Sequence, residues 1–460
     1  MSDLDAVLAR IDADLDQSLE RLFELLRIKS ISTDPAFAAD CRACAEWHAA
    51  DLAGIGFEAV VNDTPGHPIV TGHARDAGGP SALFYGHYDV QPVDPLELWT
   101  SDPFAPMIET RDDGSRCIRA RGASDDKGQV MTFVEACRAW QAVTGKLPIG
   151  VSILLEGEEE SGGTSLPPFL EANADELRAD IGLICDTGML GPNVPSITTM
   201  LRGLCGEEII IEAADRDLHS GLYGSAAANP NHVLARILAD LHDADGRVTL
   251  PGFYDGVSEP PAALKEAWEA LPIDAAGFLG AVGLSVPAGE TGRSIFEQTW
   301  SRPTAEVNGM GGGYQGAGFK TVIPATASAK VSFRLVYEQD PHAVRAAFRE
   351  FVRARVPADC TVRFVDHGAG RAIGFPIDAP AFGQTQRALT DEWGRDAVFI
   401  GSGGSIPVAH ELKGKIGMDV VLTGFALDDD RIHSPNEKYE LESFHRGIRS
   451  WARILAALGG

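Results

Sequence analysis

The sequence predicts an α/β fold: a mostly parallel-sheet domain with helices on both faces, into which a smaller α+β domain of ferredoxin-like type is inserted. Three observations predict it. The apolar runs LFYGH (83–87), IGVSILL (149–155) and IGLIC (181–185) each stop abruptly at, or just before, His, Asp or Glu, and MDVVLT (418–423) is followed by a loop that carries Asp428, Asp429, Asp430 and His433. Segments of helical period lie between the runs, which is the pattern of buried parallel strands joined by crossover helices. From about residue 200 the texture changes to alternating strands such as KVSFRLV (330–336), the mark of a sheet with one buried face. The first domain is therefore expected at 1–199 and 373–460, and the inserted one at 200–372.

The elements follow in order. Leu4, Val7, Leu8, Ile11, Leu15, Leu19, Leu22, Phe23 and Leu26 recur at helical spacing and predict one long opening helix ending near Ile28. A second helix is expected from about Ala38 to Gly54, then a strand in GFEAVVND, then the LFYGH strand. The stretch after Asp89, with Trp99, Pro103, Phe104 and Pro106, reads as a long loop. A helix from about Gly128 to Val143 follows RGASDDKG, so Asp125 and Asp126 stand at its N-terminus, where carboxylates are electrostatically at home. In the inserted region EEIIIEA (207–213) is a strand, Pro230 opens a helix at a favoured first-turn position, and KVSFRLV, a helix over about 341–355 and TVRFV complete the unit. A helix near 379–393, the MDVVLT strand and a closing helix with Leu441, Phe444, Ile448, Trp451, Leu455 and Leu458 on one face return to the first domain.

At 460 residues the chain exceeds what one hydrophobic core usually supports. The formal charge of −27 argues against nucleic acid, which requires clustered Lys and Arg. No apolar run reaches a membrane span of roughly 18 residues, and the acidic, amphipathic start does not resemble a targeting segment, so a cytoplasmic protein without membrane contact is expected. The seven cysteines are scattered. Cys41 and Cys44 form a CxxC with no second pair, on a segment of helical pattern, and read as reduced, buried thiols. Gly311, Gly313 and Gly316 match a dinucleotide fingerprint in letters alone, because no apolar strand precedes them and no amphipathic helix follows. A mobile loop over the site is the reading there.

In open α/β sheets, ligands collect beyond the carboxyl ends of the strands. Those ends carry His87, Asp125, Glu160, Asp186 and His433, a nitrogen and oxygen set without thiolate that suits Zn²⁺, Mn²⁺ or Co²⁺. Five ligands exceed the three of a one-metal catalytic site, so a pair of divalent ions bridged by one carboxylate is the economical reading. Within Glu158, Glu159 and Glu160 adjacent side chains diverge, so one can bind metal while its neighbour faces a substrate as general base. Asp89, two residues after His87, is placed to orient that imidazole.

Taken together, GHYDVQP, RGASDDKG, LLEGEEESGG, CDTG, DLHSGLYG, KTVIP, FRLV, GGSIP and IHSPNEK resemble the motifs of the co-catalytic metallopeptidases of clan MH, the group of carnosinases, cytosolic nonspecific dipeptidases, aminoacylases and desuccinylases. The resemblance runs from about residue 20 to the C-terminus and is closest to the dipeptidase branch. It implies that His87, Asp186 and a bridging Asp125 hold one ion, with zinc the ion expected, and Glu160, His433 and the same Asp125 the other. It further implies a cis peptide bond after Asp125, Glu159 as general base and Asp89 as the residue that orients His87. The inserted domain becomes a lid and dimerisation domain, whose His219 reaches the active site of the other subunit of a homodimer. Thr321, Arg334 and Ser405 would contact substrate, with the planar fork of Arg334 suited to a terminal carboxylate. The remaining histidines match no motif and read as structural.

The activity implied is hydrolysis of a peptide or related amide bond in a small substrate with a free carboxylate, above all a dipeptide. An N-acyl-amino-acid deacylase or a carboxypeptidase would use the same chemistry with other pocket walls. A non-catalytic metal-binding scaffold is the rival of another class, and the presence of Glu159 beside the complete ligand set speaks against it.

Overall fold

The computed structural model describes residues 2–75, 78–271, 273–404 and 406–460. They form two compact units. One comprises Met1–Thr199, Phe375–Ile400 and Pro407–Gly460; the other comprises Met200–Gly374 and Gly401–Ile406.

The first unit is built on a mixed sheet whose centre is parallel. Strand Ser81–His87 lies between Gly150–Glu156 and Ile181–Ile184, and Val420–Leu422 pairs in parallel with Ile181–Ile184. Antiparallel strands flank this centre: Ile69–Ala74 with Glu58–Asn62 on one side and Ser196–Leu201 on the other. The parallel strands are buried along nearly their whole length, which is why they read as continuous apolar runs rather than as alternation. Helices Lys127–Thr144 and Leu441–Gly459 pack on the sheet together, and Phe84, Phe133 and Trp451 form the aromatic centre of that contact. Phe84 stacks on Phe133 at 3.9 Å between centroids, with Trp451 edge-on to both. Gly86 permits the closest approach, since a Cβ there would lie 2.4 Å from Val130 of the helix.

Two expectations need correction here. The opening helix is interrupted: Asp3–Ala13 ends at Asp14, whose φ/ψ of −98°/5° leaves the helical basin, and Leu15–Leu26 begins again behind it. Asp14 also accepts from the Arg10 side chain, an i,i+4 pair of helical spacing, so the break lies in the backbone at Asp14 alone and apolar spacing does not reveal it. The stretch after Asp89 is not all loop. Strands Met107–Thr110 and Arg116–Arg119 form a hairpin that pairs onward with Lys438–Glu440. These four- and three-residue strands are too short for periodicity to register, and their third partner lies more than 300 residues away.

The second unit is a four-stranded antiparallel sheet, ordered Thr304–Gly312, Thr326–Leu335, Gly203–Glu212, Thr361–Gly370. Helices Pro230–Ala239 and Pro341–Arg353 supply Val233, Leu234, Ile237, Val344, Phe348 and Val352 to a core shared with Cys205, Ile209, Ile211, Phe333 and Leu335. The chain order strand, helix, strand, strand, helix, strand, with the first and third strands central, is ferredoxin-like. Asn229 and Asp340 cap the two helices by accepting backbone N–H groups, each just before a proline. The glycine-rich stretch is divided here: its first part, to Gly312, belongs to the edge strand Thr304–Gly312 rather than to a loop.

Candidate metal centre

All four parallel strands deliver polar groups at their carboxyl ends. His87 is the last residue of its strand, and the short turn Glu159–Ser161 follows Glu156. Asp186 stands two residues beyond Ile184, and His433 lies in the loop after Leu422. Asp125 comes from the turn that opens helix Lys127–Thr144, and its peptide bond to Asp126 is cis. Gly128 makes this turn possible, because a Cβ there would fall 1.9 Å from the carbonyl oxygen of Ala123.

Two triads result, and they share one carboxylate. His87, Asp125 and Asp186 offer ligand atoms within 4.8 Å of one another, and so do Asp125, Glu160 and His433. The shared aspartate divides its oxygens: Oδ1 lies 3.0 Å from His87 Nε2, and Oδ2 lies 2.8 Å from His433 Nε2. Asp186 Oδ2 is 4.0 Å from His87 Nε2, and Glu160 Oε2 is 3.2 Å from His433 Nε2. The other ring nitrogen of His87 lies 3.2 Å from the backbone oxygen of Asp89 and 3.3 Å from its Oδ1, while Asp89 Oδ2 accepts from the backbone N–H of Glu160. Asp89 thus ties a residue of one triad to a residue of the other.

The electrostatics carry an excess of negative charge. Burial, followed by repulsion from Asp125, pushes Asp186 up to about 8. Burial and the neighbouring Glu160, Asp125 and Asp89 push Glu159 up as well, against the pull of His87. Burial works against ionising Asp125, but hydrogen bonds from His433 and His87 overcome it and hold that carboxyl well below its usual range. Bonds to Asp125 and Glu160 raise His433 to about 10. A buried set of oxygen and imidazole donors with more acid than base fits divalent cations, whose charge would remove the repulsion that raises Asp186. His87, Asp125 and Asp186 could hold one ion and Asp125, Glu160 and His433 a second. A third acidic group, Asp429, Asp430 and Glu440, is already neutralised, since Lys438 Nζ donates to all three at 2.9, 2.6 and 2.8 Å.

Several residues around the cluster went unread in the sequence. Glu437 is wholly buried, and its two oxygens accept from the backbone N–H groups of Gly122, Ser124 and Asp125 and from Arg121. It fixes the turn that presents Asp125, and burial raises it to about 7 despite Arg121. Asp126 accepts from the backbone N–H of His87, and Gln91 donates to Glu160 at 2.7 Å. Glu158 is structural, accepting from the backbone of His67 and Ser165, which leaves its two neighbours for other work. The loop that carries His433 holds Arg431, His433 and Asn436 at φ of 57°, 61° and 65°, a left-handed conformation that costs non-glycine residues free energy and clusters at functional sites. Asn436 secures it by accepting from Thr100 and donating to Leu98. The acid in IHSPNEK was the one signal for Glu437 available beforehand.

The remaining candidates belong to the second unit. Leu218–His219 pairs with Val322–Ile323, so two motifs a hundred residues apart meet in one short ladder. His219 is exposed, with Nδ1 accepting from the N–H of Gly221, and Thr321 accepts the N–H of Ser220 through its backbone oxygen. Arg334 lies on strand Thr326–Leu335. Ser405 lies outside the described residues.

A sheet whose carboxyl edge gathers two such triads around a common carboxylate is the framework of a metal-dependent hydrolase. Comparison with known proteins gives the particular kind. Residues 83–457 match the model of peptidase family M20/M25/M40. The chain is 28% identical over 463 residues to the Cys-Gly metallodipeptidase dug1 of Schizosaccharomyces pombe, covering 97% of this chain and 96% of that one. It is 26% identical to the Beta-Ala-His dipeptidase of Rattus norvegicus, over 97% of this chain and 90% of the other. Among solved structures, the M20 family metallo-carboxypeptidase Sso-CP2 from Sulfolobus solfataricus superposes with a TM-score of 0.83 at 30% identity, over 96% of this chain and 99% of that one. The chain belongs to peptidase family M20/M25/M40.

Proposed function

We propose that this peptidase is a dipeptidase that works with two divalent ions and recognises the free carboxylate of its substrate. The observation that carries the reading is the division of Asp125 between two triads, one oxygen to each. His87, Asp125 and Asp186 hold one ion and Asp125, Glu160 and His433 the other, and zinc is the ion we assign. Bound there, the pair supplies Lewis acidity toward water and toward the scissile carbonyl.

The residues do the rest. Glu159, kept basic in the neighbourhood of the triads without a ligand's part in either, takes the proton of the attacking water and passes it to the leaving amine. Asp89 holds His87 in orientation. Arg334 receives the terminal carboxylate in its planar donor fork, with Thr321 and Ser405 as further substrate contacts. His219 of the partner subunit donates to the oxyanion of the tetrahedral intermediate, so the working form is a homodimer whose inserted domain serves as lid and interface. Seven cysteines, all buried and free, suit a reducing compartment, and we assign the protein to the cytoplasm.

The test is product formation by the metal-loaded protein on free dipeptides, C-amidated dipeptides, tripeptides and N-acyl amino acids. Turnover of free dipeptides and not of their amides is expected. A second reading, a carboxypeptidase acting on longer chains, is favoured by the likeness to Sso-CP2. Cleavage of tripeptides from the carboxyl end at a rate matching dipeptides would establish it in place of the first.

A further inference from the structure

Two arginines of the second unit lie close together, Arg202 just before strand Gly203–Glu212 and Arg334 on strand Thr326–Leu335. Leu204 pairs directly with Arg334, and Gly203 with Leu335. Residues two apart on a strand share a face, as do directly opposed residues of an antiparallel pair. Leu204 and Arg334 therefore stand on one face, and Arg202, the residue just before strand Gly203–Glu212, is near enough for the two guanidinium charges to act on each other. Cys205, Phe333 and Leu335, on the opposite face, belong to the core against the two helices.

The unit's other buried acids already have arginines. Glu207 takes Arg345 and Arg349, and Glu290 takes Arg302. Among the described residues, neither Arg202 nor Arg334 makes an ion pair. Arg202 Nε donates to the carbonyl of Gly403 at 3.4 Å, and its Nη1 is buried without a partner. Gly403 lets the backbone approach the guanidinium, since a Cβ there would sit 2.7 Å from Nη2. Burial and then the charge of Arg334 lower Arg202 to about 10, against the pull of Glu306. Two adjacent like charges in a half-buried place are relieved by an anion and not by a neutral group.

We infer that Arg202 and Arg334 form one carboxylate subsite: Arg334 binds the terminal carboxylate of the substrate, and Arg202 is the positioning residue that supplies the second positive charge and holds the backbone at Gly403. The inference rests on the dipeptidase reading and the part Arg334 plays in it. Arg202 governs how strongly a free carboxylate is preferred over its amide, and it takes no part in the proton transfers.

The experiment pairs kinetics with binding on the metal-loaded protein. In Arg202→Ala and the nearly isosteric Arg202→Gln, KM for free dipeptides rises about tenfold or more, the worth of a charge-assisted contact, while kcat stays within about threefold. Arg202→Lys, which keeps the charge, recovers most of the loss. The binding arm titrates a dipeptide analogue with a reduced peptide bond, and its C-amide, by calorimetry. The wild type prefers the free acid, and the preference collapses in Arg202→Gln with metal content unchanged. An equal loss on acid and amide, or an unchanged preference, overturns the inference even where dipeptides are hydrolysed. Retention of the acid preference by a wild type that hydrolyses no dipeptide supports the subsite and defeats the dipeptidase reading alone.

Discussion

The carboxyl edge of the first unit's sheet and the uncovered face of the second unit's sheet fail to neutralise charge in opposite senses. The first gathers Asp125, Glu159, Glu160 and Asp186 around two histidines and leaves Asp186 raised to about 8. The second sets Arg202 beside Arg334 without a carboxylate in ion-pair range among the described residues. Other buried charges are matched within the chain: Glu437 holds Arg121 and three backbone N–H groups, Glu207 holds Arg345 and Arg349, and Lys127 donates to the carbonyls of Leu25 and Ile28. The difference teaches where to expect ligands. Buried charge satisfied by neighbours builds structure, and a cluster of like charges left without a counter-charge is where a partner of opposite sign from outside the chain fits.

The strongest way to break this comparison is to remove the shared carboxylate. Asp125→Ala is expected to lose both ions and to lower kcat/KM by about 10³-fold or more, the several kcal/mol that metal polarisation supplies. Elemental analysis beside kinetics checks it, and a variant that retains one ion at full occupancy would separate the two triads. Glu159→Gln sharpens the same edge. It should leave both ions in place while kcat falls by about 10²- to 10⁴-fold, because it removes the proton carrier alone; loss of metal would make Glu159 a ligand instead.

The matched charges give the next test. Glu437→Ala strands Arg121 in the interior and is expected to destabilise the first unit by about 3–5 kcal/mol, read from urea unfolding. Glu207→Ala removes the buried partner of Arg345, which keeps Asp366, and of the partly exposed Arg349, so a smaller stability loss of about 1–3 kcal/mol is expected, with no change in metal content. If Glu207→Ala released metal, the division between structural and ligand-seeking charge would not hold.

The smallest expected effect is a pH slope. Burial lowers His48 to about 3, so the folded protein keeps it neutral while the unfolded chain protonates near 6.5. The unfolded state thus binds more protons below 6.5, and stability is lost as pH falls from about 6.5 toward 3, by up to about 1.4 kcal/mol per pH unit. Stability should be independent of this group above 6.5. Wild type and His48→Leu compared by urea unfolding at pH 7, 6 and 5 isolate its share, since the carboxylates titrate alike in both.

Much of the fold was legible because burial writes itself into composition. The strand Ser81–His87 is an apolar run ending in His, and the closing helix Leu441–Gly459 buries the six residues that its spacing marked. The ferredoxin-like sheet was legible as alternation in KVSFRLV and as prolines opening helices. What escaped was whatever lacks a period: the break at Asp14, the short strands at 107–110 and 116–119, and the portion of the glycine-rich stretch that pairs as a strand edge. Glu437 escaped for a related reason, since one acid among 66 Asp and Glu carries no mark of being buried.

Sequence alone determined the long buried strands and amphipathic helices and which residue types follow the buried strands, because hydrophobic period and strand termination are local properties of the chain. Tertiary structure decided which of those groups meet. His87, Asp125, Glu160, Asp186 and His433 span almost 350 positions, and only the parallel alignment of strand ends brings their atoms within 4.8 Å in each triad. The same holds for Arg202, which comes near Arg334 only because Leu204, two residues on, pairs with Arg334 in a ladder of two strands more than 100 residues apart. Charge compensation is a property of neighbours in space, and a linear sequence does not say who they are.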